Sequence, residues 1–286
     1  MRALILALYL HAWRTVPEAR ELTGRYSLTY SITLALWLLS LAVPAPGRYW
    51  LWGTAQLAEI ANGPVTHATI RQVPQRVSHM DERLGLFVII VLGEAVVQVA
   101  TGLADAEWRW QGTLTGVCGF LCAVWAWWIY FVRADPSILT RALRSDRRSL
   151  LLAFAYAYSH FFVFAGITAA AVGIQEAIRT SPTEALPAGA ALALGCGAAA
   201  FLLGVTALQW AAPHSLPRAV VRARLAAAAL AALLAAGGPV LGAMGSVVVL
   251  AATLAVLVTV ETVYCVRYDV RYYAALRPAD LQPERD

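Results

Sequence analysis

The chain has 286 residues, 60% of them apolar and 14% charged, with a net charge of +5. Soluble domains carry about 25% charged residues, so a soluble globular fold is excluded and a nucleic-acid role for the positive charge has no support. The 22 basic residues are all arginine, and the four cysteines (Cys118, Cys122, Cys196, Cys265) lie in apolar segments without the spacing of a zinc or disulfide framework.

In chain order, Met1–Trp13 is apolar but too short to span at about 1.5 Å per residue. It reads as the end of a helix whose beginning is missing. Eight segments then have the length and apolarity of spans or nearly so: 27–43, 49–63, 84–103, 113–132, 149–173, 188–210, 219–236 and 243–265. Breaks are expected at Pro44-Ala45-Pro46-Gly47, Asn62-Gly63-Pro64, Pro136, Pro182, Pro213 and Gly237-Gly238-Pro239. No alternating strand pattern occurs, which argues against a β-barrel. The expected fold is all-α, a polytopic transmembrane helical bundle of about eight spanning helices plus a partial N-terminal helix. Its divisions are 1–26 (partial helix and cytoplasmic segment), 27–265 (bundle) and 266–286 (cytoplasmic tail).

Arginine orients the bundle. Alternate connections and the C-terminal tail hold 18 arginines, the intervening ones 3. The positive-inside rule makes the rich side and the C-terminus cytoplasmic in an inner membrane. Trp50, Trp52, Trp108 and Trp110 fall at the outer edge, and Trp127, Trp128, Tyr130, Tyr264 and Tyr268 at the inner edge.

Ionisable residues inside spans are costly and so point to function. Counting from helix ends places Glu94, Glu59 and His160 each about 15–16 Å deep, near the midplane of a hydrocarbon core about 30 Å thick. Gln98 follows Glu94 by four residues and Tyr156 precedes His160 by four, so each pair shares a helix face. Such a group suits a proton, an ion or a small polar solute. It equally suits hydrogen-bonded ties between helices. Glu261, a turn from the end of its helix, reads as structural, served by Arg267 or by snorkelling. At the mouth of the third span, Asp81 and Glu82 complement the helix dipole. His79 and Glu82 have the spacing to share a face, but two ligands make no metal site. HExxH, GxSxG and Walker patterns are absent, so neither enzymatic chemistry nor a cofactor is expected. Gly112-x-x-x-Gly116 and the alanine-rich stretch 226–236 permit close helix approach.

The run from His79 through Glu82, Arg83, Gly85, Leu86, Phe87 and Leu92 to Gly93-Glu94 resembles the HxxERFGLFTIIVLGE signature of the bacterial low temperature requirement protein A (LtrA) family, with Leu84 and Val88 departing from it. Trp127-Trp128-Ile129-Tyr130-Phe131 is similar to the family's WWxYF element, with Val132 where Asp is usual. Tyr158-Ser159-His160 leading to Gly166-Ile167, Gly173 and Glu176 is similar to its YxHxxxxxGI segment, and Glu59 followed by Pro64 fits a polar-then-proline feature. The resemblance implies a multi-pass bacterial membrane protein with no established reaction. It further implies additional N-terminal helices with an ELFFDLVFV-like motif, which this sequence does not contain. The expected partners are the lipid bilayer and a proton, ion or small polar solute. The alternative is a membrane-structural or lipid-interacting protein that adapts the envelope to cold, without transport. His79, Glu82, Arg83 and Tyr130 join the candidate residues on these motifs.

Overall fold

The computed structural model describes residues 1–69, 80–132, 147–210 and 217–275. All regular structure among them is helical. In chain order the helices are α1 (Arg2–Thr15), α2 (Arg20–Leu39), α3 (Gly47–Thr69), α4 (Met80–Asp105), α5 (Trp110–Phe131), α6 (Arg147–Arg179), α7 (Ala188–Trp210) and α8 (Arg218–Ala275). A 3₁₀ turn, Pro17–Ala19, leads into α2. The chain forms two compact units, Met1–Ser78 with Thr140–Phe154 and His79–Leu139 with Ala155–Asp286.

Among the described residues, six helical stretches are long and apolar enough to cross a membrane: Glu82–Asp105, Trp110–Phe131, Phe154–Arg179, Ala188–Gln209, Arg218–Gly237 and Val240–Tyr264. The two further segments expected to span form α2 and α3, 20 and 23 residues long. Their lengths suffice for a bilayer at about 1.5 Å per residue. Their composition is more polar: α2 carries Thr, Ser and Tyr along its length, and α3 carries Arg48, Gln56, Glu59 and Asn62.

One expected break does not end its helix. Pro64 lies inside α3, which runs on to Thr69. Proline removes one backbone donor, but side chains pin the turn there. Asn62 Oδ1 accepts from Thr66 Oγ1 at 3.0 Å and from Thr29 Oγ1 of α2 at 3.1 Å. In α8 the helical geometry is interrupted at Gly242 (φ 70°, ψ 171°), within the connection expected between the spans 219–236 and 243–265. Positive φ favours a residue without Cβ. The same glycine lets the 180s loop approach: a Cβ there would sit 2.7 Å from the Pro182 carbonyl oxygen, and Ala243 N donates to Glu184 O at 2.9 Å.

In the second unit, Val88, Ile129, Val163, Leu194, Leu202, Val205, Val247 and Leu250 are buried. The α6–α7 crossing is backbone to backbone. A Cβ on Gly166 would lie 2.5 Å from Phe201 N and 2.7 Å from Gly197 O. Gly112 and Gly116 serve α5 as their spacing suggests, facing Ala106 and Ile178, and Leu103, respectively. Ala231 of the alanine-rich stretch receives Gly195 of α7 just as closely.

Candidate functional site

Glu94 sits midway along α4. Val88, Val91, Leu92, Ala95 and Val99 form the buried stripe of that helix. At about 100° per residue, Glu94 lies about 120° round from the middle of that stripe. It is accordingly exposed, on the same side as Ile90, Val97 and Thr101. Gln98 Nε2 donates to Glu94 Oε1 at 2.6 Å, so the expected i,i+4 pair forms. The carboxyl lies outside the packed core rather than within it.

His160 has the opposite setting, 1% exposed among α5 and α6 side chains. Its Nδ1 lies 2.9 Å from the Tyr156 carbonyl oxygen, and its Nε2 lies 2.9 Å from Tyr130 Oη. A carbonyl only accepts, so Nδ1 carries the proton. In the neutral ring, Nε2 then accepts from the tyrosine hydroxyl. Tyr156 contributes its carbonyl and its ring, whose centroid lies 4.8 Å from that of the imidazole in a T-shaped arrangement. Tyr130, Tyr156 and His160 therefore come together in a hydrogen-bonded tie between α5 and α6.

Contacts between α4 and α6 set their relative register. Phe87 packs edge-on against Phe164 at 4.6 Å, Gly102 faces Gln175 and Ile178, and Arg179 Nε donates to Asp105 Oδ2 at 2.8 Å. Partners differ by about 75 positions throughout, so the two helices run parallel and Glu94 lies opposite Ala169. His160 is nine residues earlier, about 13 Å along the axis. Counting from helix ends set them level.

Glu59 belongs to the first unit and is paired there. Arg2 Nε donates to its Oε1 at 2.7 Å and Nη2 to its Oε2 at 3.2 Å. Glu82 and Arg83 are exposed on the first turns of α4, and His79 lies outside the described residues. Among the described residues no group of three His, Cys, Asp or Glu side chains could hold a metal ion. An apolar cavity of about 40 Å³ lies in the second unit, lined by Ala95, Cys122, Ala126, Gly166, Phe201 and Leu254 among others. Its walls are almost entirely nonpolar, so it offers no hydrogen-bonding site for an ion or a water molecule.

One polar centre escaped the sequence reading. Arg224 is fully buried, and its Nε and Nη2 donate to Glu261 Oε1 and Oε2 at 2.5 and 2.7 Å. Its Nη1 donates to Gln209 Oε1 at 2.5 Å. Three helical segments, α7 and both halves of α8, are thus joined by one guanidinium. The arginine count groups Arg224 with the cytoplasmic connection before the expected span 219–236, and Glu261 is assigned to Arg267 or to snorkelling. Helix α8 instead begins at Arg218 and carries Arg224 inward. The available signal was a helical pattern extending through Arg218–Arg224, with an unpaired acid in the following span.

The family model of the bacterial low temperature requirement A protein (LtrA) matches residues 1–261. An uncharacterized protein of Rhizobium meliloti (strain 1021) is 28% identical over 167 residues, which cover 57% of this chain and 37% of that protein. The chain thus spans little more than a third of that relative. No solved structure matches. With six helices apolar enough to cross a bilayer and a family match over nearly its whole length, the chain is a multi-pass membrane protein and belongs to the LtrA family.

Proposed function

We propose that this protein transports or conducts a proton, an ion or a small polar solute across the bacterial cytoplasmic membrane, with Glu94 as the exchanging group. The observation that carries this reading is the setting of Glu94: halfway along the span Glu82–Asp105, exposed, with Gln98 as its hydrogen-bond donor. A carboxyl at that depth is expensive unless it meets water, a counter-ion or a partner helix, and among the described residues its hydrogen bond is to Gln98 of its own helix. Gln98 engages one carboxyl oxygen, Oε1. Arg83 and Glu82, at the mouth of α4, would meet the solute on the cytoplasmic side. His160 and Tyr130 would hold α5 and α6 in place beneath. No enzymatic step is part of this reading, and the C-terminus is cytoplasmic in it.

The test is flux in proteoliposomes, wild type against Glu94→Gln, under an imposed pH gradient and with a panel of monovalent ions. The expected result is flux well above empty vesicles in the wild type, reduced at least about tenfold in the variant. Equal flux in both removes Glu94 from the mechanism.

A membrane-structural role is the second reading, and the closed geometry of His160 favours it. On that reading Glu94→Gln complements a growth defect in the cold, whereas Tyr130→Phe does not. Loss of that hydroxyl leaves a buried acceptor unsatisfied, at about 1–3 kcal/mol.

A further inference from the structure

Helices α2 and α3 carry a receptor shaped for a planar cation, and Arg2 occupies it. The Trp37 ring forms one wall, its centroid 4.3 Å from the guanidinium carbon. Glu59 forms the edge, taking Nε and Nη2 on its two oxygens. This is the two-pronged fit of a guanidinium fork to a carboxylate. Gln56 Oε1, on the same face of α3, accepts from Nη2 at 3.3 Å.

The Trp37 wall is held independently of α1. Trp37 stacks on Trp52 at 5.8 Å and 20°, and Trp52 Nε1 donates to Ser40 Oγ at 2.9 Å. Tyr49 braces Trp52 edge-on at 5.5 Å. A receptor fixed by its own neighbours is preorganised and loses little freedom when it is filled. Its occupant comes from a helix with no buried residue, tied to α2 by Tyr9, which stacks on Tyr26 and Tyr30 at 5.0 and 5.5 Å.

We propose that Trp37, Glu59 and Gln56 form a binding site for a guanidinium-type organic cation, with Arg2 as a tethered occupant that such a ligand displaces. The chemistry ranks ligands. A guanidinium offers a flat face to Trp37 and parallel N–H donors to Glu59. A tetraalkylammonium offers charge without donors, and a sodium ion lacks the flat face. The tether keeps Arg2 at an effective concentration of about millimolar, so it masks weaker ligands in the wild type.

The experiment titrates agmatine into the detergent-solubilised full chain by calorimetry. Arg2→Ala should bind agmatine at least about tenfold more tightly than wild type. Adding Glu59→Gln should weaken that binding at least about tenfold, the loss of one charge-assisted pair. Tetramethylammonium should compete poorly. Trp37→Leu in the Arg2→Ala background gives a second removal of the receptor and should behave as Glu59→Gln does. If Arg2→Ala does not yield monodisperse protein, Arg2→Gln vacates the site with the side-chain length kept. Equal affinity in wild type and the Arg2 variant overturns the proposal, as does affinity indifferent to both Glu59→Gln and Trp37→Leu. Either outcome leaves the Arg2–Glu59 pair a simple tie.

Discussion

Arg224, Glu261 and Gln209 show what a buried charge requires. Removing two ions from water costs several kcal/mol each, and the pair recovers this only when its remaining donors and acceptors are also matched. Here both oxygens of Glu261 and three nitrogens of Arg224 are engaged. Replacing either ion by leucine should therefore destabilise the protein by about 3–5 kcal/mol, since the other ion is left buried and alone. Replacing both should cost clearly less than the sum. Denaturant unfolding in detergent measures each, and an additive double variant would show the pair to be uncoupled. Glu94 and Glu59 were legible in the sequence as costly residues worth explaining. Their partners were legible only where they lay a turn away, as Gln98 does. Arg2, 57 positions from Glu59, and Arg224, 37 from Glu261, come into contact through tertiary packing that no local pattern encodes.

At the scale of the helix, hydrophobic runs located the spans well because burial in lipid demands long apolar stretches. Punctuation residues were less faithful. Pro64 sits within α3 because Asn62, Thr66 and Thr29 hold that turn together, and the discontinuity of α8 is at Gly242, where the 180s loop needs room. The glycines separate into two kinds that sequence alone does not distinguish. Gly166→Val would push into the backbone of α7 and should cost several kcal/mol or abolish the folded protein, because neither helix backbone can yield. Gly53→Ala meets nothing within 4 Å and should be neutral or stabilise by about 0.4–1 kcal/mol. Thermal unfolding of the two variants side by side distinguishes them; equal midpoints would refute the close α6–α7 crossing.

Across the whole molecule, helix count and arginine asymmetry together describe a polytopic protein. Moving Arg224 from loop to helix interior lowers the rich side to 17 arginines against 3, which preserves the alternation. The expected topology has a cytoplasmic C-terminus and an external 180s loop. A fluorescent protein fused at the C-terminus should mature, alkaline phosphatase at the same place should be inactive, and phosphatase inserted beside Glu184 should be active. The reverse pattern would invert the molecule and, with it, the side from which Glu82 and Arg83 meet a solute. The expectation of a single midplane centre narrows at this scale. Within the second unit, register sets His160 about 13 Å from the level of Glu94, and Glu59 is committed to Arg2 in the first.

What remains at the heart of the account is one accessible carboxyl, Glu94, in an apolar setting. An apolar carbodiimide reacts with protonated carboxyls that it can reach from the membrane phase. Proton flux into proteoliposomes should therefore be followed while such a reagent is added, with the adduct located by mass spectrometry. Flux should fall in step with modification of Glu94, while Glu261, locked to Arg224, stays unmodified. Undiminished flux at full modification of Glu94, or an adduct on Glu261 with Glu94 untouched, would contradict it.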